Sequence, residues 1–196
     1  MNLTILFKLF WSPTAGWQEL LKSKPSIHRL FILHVVPFAS IPPLMIFLAA
    51  KSSSTFLLVD MLSPPKLALV GLIFFMIQLM AVPMMALVIK QLGEIVNIQP
   101  SYQSAFTLAA VAPTPLWLSA LILLIPNVLV LVALGSLALM ASAGLIFYGL
   151  PLVFGIKDKD NAVMYFGGIM VAGTVSLAFL MLSTLVIWGS LQNLAI

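Results

Sequence analysis

The stretch Ala109–Ala120, AAVAPTPLWLSA, sets Pro113 and Pro115 on either side of Thr114 in the middle of an apolar run. Proline has no amide hydrogen, and its ring crowds the carbonyl one turn back, so in water this pair would break a helix. Within a bilayer, proline is tolerated where a neighbouring helix, water, or a Ser or Thr hydroxyl satisfies the freed carbonyl. Thr114 stands where its hydroxyl can do this. The run continues apolar on both sides, which marks it as a bent membrane helix rather than a loop.

Composition supports that reading. The chain has 196 residues, of which 62% are hydrophobic and 7% charged, and its mean hydropathy is +1.19. A soluble domain carries about 25% charged residues. Nine Lys or Arg and five Asp or Glu cannot coat a protein of this size in water. Lipid is therefore the solvent for most of its surface. The formal charge of +4 reads as a topology signal, not as a nucleic-acid footprint, because no stripe of mixed basic and aromatic residues accompanies it. There is no cysteine, which excludes disulfides, thiolate metal sites and thiol nucleophiles.

A crossing helix needs roughly 20 apolar residues, and five stretches qualify: residues 30–50, 67–89, 104–125, 127–154 and 164–190. The fold expected is an all-α, five-helix transmembrane bundle spanning residues 30–196. Basic residues orient it. With the N-terminus in the cytoplasm, Lys8, Lys22, Lys24, Arg29, Lys90, Lys157 and Lys159 fall inside, and only Lys51 and Lys66 fall outside. This positive-inside bias predicts a multi-pass protein of the bacterial cytoplasmic (inner) membrane with its C-terminus outside. Residues 1–29 form a cytoplasmic leader that does not read as a cleavable signal peptide. In it, Ser12-Pro13 marks a helix start, and Trp17, Leu20 and Leu21 fall on one side of an amphipathic interfacial helix.

Seven prolines fall inside the crossings: Pro37, Pro42, Pro43, Pro83, Pro113, Pro115 and Pro151. Kinks turned toward the bundle interior are expected there, and His34, Gln78 and Thr114 are the candidate lining of a polar cavity among them. Small residues recur in the last two crossings: Gly135, Ala138, Ala141 and Gly144, and then Gly168, Ala172 and Ser176. Without water, helices associate by close packing, and such faces permit it. They are expected to lie against other helices, each other included. The partners expected are the lipid bilayer and a second copy or another membrane protein.

Enzyme signatures are missing from the sequence. It has no paired carboxylates at membrane depth, no His-rich metal spacing, no phosphate-cradling Gly loop and no catalytic triad set. No cofactor and no metal are expected. Met76, Met80 and Met84 are spaced as a thioether ladder for a soft cation would be, but gap-filling beside Pro83 is the favoured reading. Asp158-Lys159-Asp160 reads as a charged surface loop rather than a cation site.

The motifs "FWSPTAGW", "SYQSAF", "VAPTPLWLSALILLIP" and "YGLPLVFGIKDKDN", in that order among five crossings, resemble the bacterial branch of the Yip (Ypt/Rab-interacting protein) domain family. The likeness covers nearly the whole chain. It implies a five-helix Yip domain with a cytoplasmic N-terminus. Eukaryotic members are linked to Rab-type GTPases, vesicle traffic and membrane shaping. The short leader, and the lack of a match to the acidic-aromatic Gly-Pro motif before the first eukaryotic crossing, argue against a GTPase partner. The family's proline-bearing motif maps onto Ala112, Pro113, Thr114 and Pro115, and its fourth-crossing end onto Tyr148, Gly149 and Pro151. No catalytic residue comes with either. The function expected is therefore non-enzymatic membrane organisation or partner binding. The alternative is a small transporter or lipid translocator for an uncharged or amphipathic substrate.

Overall fold

The computed structural model describes residues 3–51, 62–125 and 127–192. Most of the loop expected between Lys51 and Lys66, Pro126 of the expected tight turn, and the last four residues lie outside the described ones. Among the described residues the chain is helical and has no strand. Five helical stretches are long and apolar enough to cross a membrane: Ile27–Ala49, Pro64–Ile95, Tyr102–Leu124, Val128–Phe154 and Lys159–Gln192. Their number agrees with the five-helix fold expected.

Two short helices, α1 (Leu3–Trp11) and α2 (Pro13–Lys22), precede the spans. They pack as a hairpin folded at Ser12, so tightly that a Cβ at Gly16 would lie 2.6 Å from the Leu9 backbone nitrogen. The first span has three helical pieces, α3 (Ile27–Leu30), α4 (Val36–Ala39) and α5 (Ile41–Lys51), with a π-turn at Phe31–Val35 between the first two. A π-turn widens the helix by one residue, and this one ends just before Pro37, where an α-helical turn would meet the ring. The second span is α6 (Pro64–Ile95), which runs as helix straight through Pro83. The third divides into α7 (Tyr102–Val111), α8 (Thr114–Ser119) and a 3₁₀ turn at Ala120–Leu124. The fourth and fifth are α9 (Val128–Phe154) and α10 (Lys159–Gln192).

Local chemistry sets several of these boundaries. Ser101 and Asn127 cap α7 and α9 by accepting from backbone amides one turn on. Gly155 ends α9 at φ 67°, the left-handed position that favours glycine. Asp158 Oδ1 accepts from the Asp160 amide at 3.1 Å, so the charged Asp-Lys-Asp loop serves as the cap of α10.

The third span lies at the centre. Every residue from Ala105 to Ala112 is buried, and α6, α9 and the first span pack around it. The alanines at 105, 109, 110 and 112 keep it slim enough to be surrounded. The fifth span is peripheral and leans mainly on α6, where Tyr165 Oη donates to the Ile89 carbonyl at 2.7 Å. Gly93, one turn beyond Ile89, leaves room for the phenol, since a Cβ there would lie 2.9 Å from its oxygen.

Some details depart from what the sequence predicts. The helix starting at Ser12-Pro13 forms, but Trp17 and Leu20 are buried against the bundle rather than facing lipid, and Leu21 is half-buried. Trp17 is fully buried because its indole fills a notch over Gly149 of α9 and its Nε1 donates to the Leu145 carbonyl at 3.0 Å. The small-residue faces of α9 and α10 do not meet along their length. Cβ atoms at Gly135 and Gly144 would meet none of the described residues within 4 Å, whereas Gly168 faces Leu92 of α6 at 3.6 Å. Ala138 is buried, and Ala172 and Ser176 are half-buried. Met76, Met80 and Met84 point outward from α6, and Met85 packs against the core.

The Trp17 notch makes a prediction. Gly149→Val puts a Cβ 2.7 Å from the indole, an overpacking that destabilises by about 1–3 kcal/mol. Hairpin opening should rise by roughly fivefold or more, measured as faster tryptic cleavage after Lys22 in mild detergent. Gly135→Ala, into open space, should leave the cleavage rate unchanged.

Candidate functional site

Each proline in a helix removes the donor that would have served the carbonyl four residues earlier. In a dry interior such a carbonyl needs a replacement donor. Pro115 in this way deprives Val111. The Thr114 hydroxyl donates to the Val111 carbonyl at 2.6 Å. Pro43 likewise deprives Ala39, and Gln78 Nε2, reaching across from α6, donates to the Ala39 carbonyl at 3.3 Å.

These two repairs are joined to further partners. Trp117 Nε1, one turn beyond Thr114, donates to Gln78 Oε1 at 2.8 Å. His34 Nε2 lies 3.0 Å from Thr114 Oγ1. The threonine hydroxyl has one hydrogen, and the Val111 carbonyl takes it. His34 Nε2 must therefore be the donor in that contact, which places the ring proton on Nε2 and a lone pair on Nδ1. The imidazole also lies against Phe38, with ring centroids 4.7 Å apart, and meets Trp117 edge-on at 6.4 Å.

His34, Gln78 and Thr114 are thus brought into one buried cluster at the meeting of the first three spans, with exposures of 1%, 6% and 1%. They face one another and the backbone. His34 Nδ1 is buried without a hydrogen-bond partner among the described residues. Sequence reasoning missed Trp117, although its position three residues after Thr114 puts it on the same helix face. It also missed that Pro43 is the proline that hands Gln78 its task.

The remaining kink candidates are scattered. Pro37 and Pro151 have exposed rings, Pro83 and Pro113 are half-buried, and Pro42 is buried at the start of α5. Not all the proline rings point inward. A proline acts through the carbonyl it strips, and its ring can face lipid while the repair faces in. The α9 helix continues through Pro151, whose own carbonyl accepts from Gly155 and Ile156. Among the described residues no three His, Asp or Glu side chains converge as a metal site would require.

Thr114→Val keeps the shape but strands the Val111 carbonyl and the His34 N–H. A buried unsatisfied polar group costs about 1–3 kcal/mol, and thermal unfolding in detergent should fall accordingly. Pro115→Ala restores an amide hydrogen to serve Val111. The same Thr114→Val change should therefore cost measurably less in that background. Equal losses in both backgrounds would contradict the repair.

Comparison with known proteins agrees with this architecture. The chain is 25% identical over 187 residues to the inner membrane protein YohC of Escherichia coli K12, covering 92% of this chain and 94% of that one. It is equally similar to the YohC of Escherichia coli O6:H1. No solved structure matches. A Yip1 domain matches residues 7–180, which take in most of the hairpin, the first four spans and part of the fifth, and the chain belongs to the Yip1 domain family.

Proposed function

We propose that this chain is a non-enzymatic membrane protein that organises the bilayer or binds partner membrane proteins through the outer faces of its helices. The polar interior serves to hold those faces in place. One observation carries the reading: the polar cluster is closed on itself. A passage at membrane depth would need His34, Gln78 and Thr114 to face a moving substrate. Each is instead buried, and their bonds run to one another, to Trp117 and to carbonyls that prolines had freed. The surfaces left for lipid or a partner are widest on the last two spans, where α10 buries only 6% of its most apolar stretch against 50% for the central span. The basic residues favour a cytoplasmic N-terminus and an outside C-terminus, in an inner membrane like that of the Escherichia coli relative.

A single observation favours a second reading, a small transporter or lipid translocator. The unpaired Nδ1 of His34 offers a buried acceptor to a hydroxyl or amide of an uncharged or amphipathic molecule. Two measurements separate the readings. Purification in mild detergent, followed by mass spectrometry of co-eluting lipids and proteins, should return a defined partner or lipid class. Proteoliposomes should move fluorescent phospholipid between leaflets at a rate within about twofold of protein-free vesicles. Translocation tenfold above that background, abolished by His34→Ala in a variant that still folds, would replace the first reading with the second.

A further inference from the structure

We propose that the α1–α2 hairpin is an insert in a single leaflet of the bilayer, with the outer aromatic face of α1 seated among lipids and anionic headgroups as its partner. The hairpin lies at a depth that water-soluble leaders do not reach. Trp17 bonds the Leu145 carbonyl, which lies about 14 Å inside the Phe154 end of α9 at 1.5 Å per residue. The hairpin therefore rests on the flank of a spanning helix rather than beyond its end.

The second observation is the surface it presents there. α1 buries Ile5, Leu6 and Leu9 inward, and its other side carries Phe7, Phe10 and Trp11, which are 73%, 40% and 94% exposed. Spacings of three and four residues put these three rings on one face. Aromatic side chains at the boundary between acyl chains and headgroups are the mark of a helix lying in the interface.

Charge selects the lipid. Glu19 is the only acidic residue in positions 1–29, and Lys8 neutralises it within the hairpin. Lys22, Lys24 and Arg29 are exposed and have no acidic partner among the described residues. Anionic headgroups complement them. A soluble acidic protein would satisfy the cations but leave the rings in water. A second copy would cover the rings but set like charges against each other. The proposal does not depend on the role of the bundle, since it concerns only where the hairpin sits.

The absence of cysteine makes the test direct. Phe7→Cys, Trp11→Cys and, as an aqueous reference, Lys157→Cys would be spin-labelled in the full chain. Each would be reconstituted into vesicles of phosphatidylcholine with phosphatidylglycerol. At residues 7 and 11, collisions with oxygen should exceed those with a water-soluble nickel chelate by at least fivefold, with the order reversed at 157. The pair Lys22→Glu and Lys24→Glu should raise chelate access at residue 11 at least threefold. Chelate access at 7 and 11 equal to that at 157 would overturn the insert. Shielding from both reagents would overturn it in favour of a protein partner, and an unchanged label in the charge-reversed protein would overturn the anionic-lipid assignment. Should Trp11→Cys fail to accumulate, Thr4→Cys on the same exposed side of α1 reports the same depth.

Discussion

A backbone carbonyl stripped of its amide donor cannot turn to water in the middle of a bilayer. The Val111 and Ala39 carbonyls are in that position, made so by Pro115 and Pro43, and the architecture of the first three spans follows from how they are served. The Val111 repair is local, from the threonine next to the proline. Ala39 is served from a neighbouring helix, so Gln78 cannot make its bond unless α6 lies beside the break in the first span at the right height and rotation. Trp117 then occupies the other end of the same amide. Two helix breaks and one intact helix are registered against each other by a short chain of hydrogen bonds. Each bond between membrane helices contributes modestly, about 0.6 kcal/mol on average. Their main effect is to penalise other rotations, in which a carbonyl would go unserved.

The same economy recurs where aromatic residues tie outlying elements to the bundle. Trp17 donates to Leu145 beside Gly149, and Tyr165 donates to Ile89 beside Gly93. In both cases the acceptor is a helical carbonyl, and the glycine stands four residues later. A carbonyl has two lone pairs, so it can keep its helical bond and accept a second. The glycine removes the side chain that would block the approaching ring. The hairpin and the fifth span are thus held by a large buried ring with one polar atom, which anchors an element where apolar surface alone gives little preference between protein and lipid.

Much of this was legible in the residues. The five spans follow from hydropathy and length, and the break in the third from Pro-Thr-Pro. The repair of Val111 could be read directly, because Thr114 and Pro115 are adjacent and a helix fixes the geometry between them. The link from Gln78 to Ala39 was not legible, since it depends on how α6 is rotated and how deep it sits, and hydropathy specifies neither. Trp117 was missed for the same reason. The hairpin was half legible: Ser12-Pro13 marks the start of α2, but a tryptophan on an amphipathic face reads alike whether its ring meets lipid or a glycine notch. The first helix was hidden because Lys8 interrupts its apolar run, and the lysine is accounted for only by Glu19, eleven residues on.

The closed cluster also bears on how the outer faces behave. Bending the first and third spans costs helix hydrogen bonds, and those at Ala39 and Val111 are made good inside the bundle, with the side chains of the cluster buried. The periphery is then free to be shaped by contact alone. On α9 this freedom is visible near its start, where Val128, Leu129 and Val132 are all strongly exposed and Gly135 opens onto space. A glycine in a helix interior is destabilising by roughly 0.5–1 kcal/mol relative to alanine. On a face that packs against none of the described residues, that cost has no return among them. It gains one where another backbone approaches closely, as small residues allow between membrane helices. The bonded interior and the permissive rim are therefore two results of one arrangement: carbonyls freed by Pro43 and Pro115 served at the centre, and shape left available at the edge.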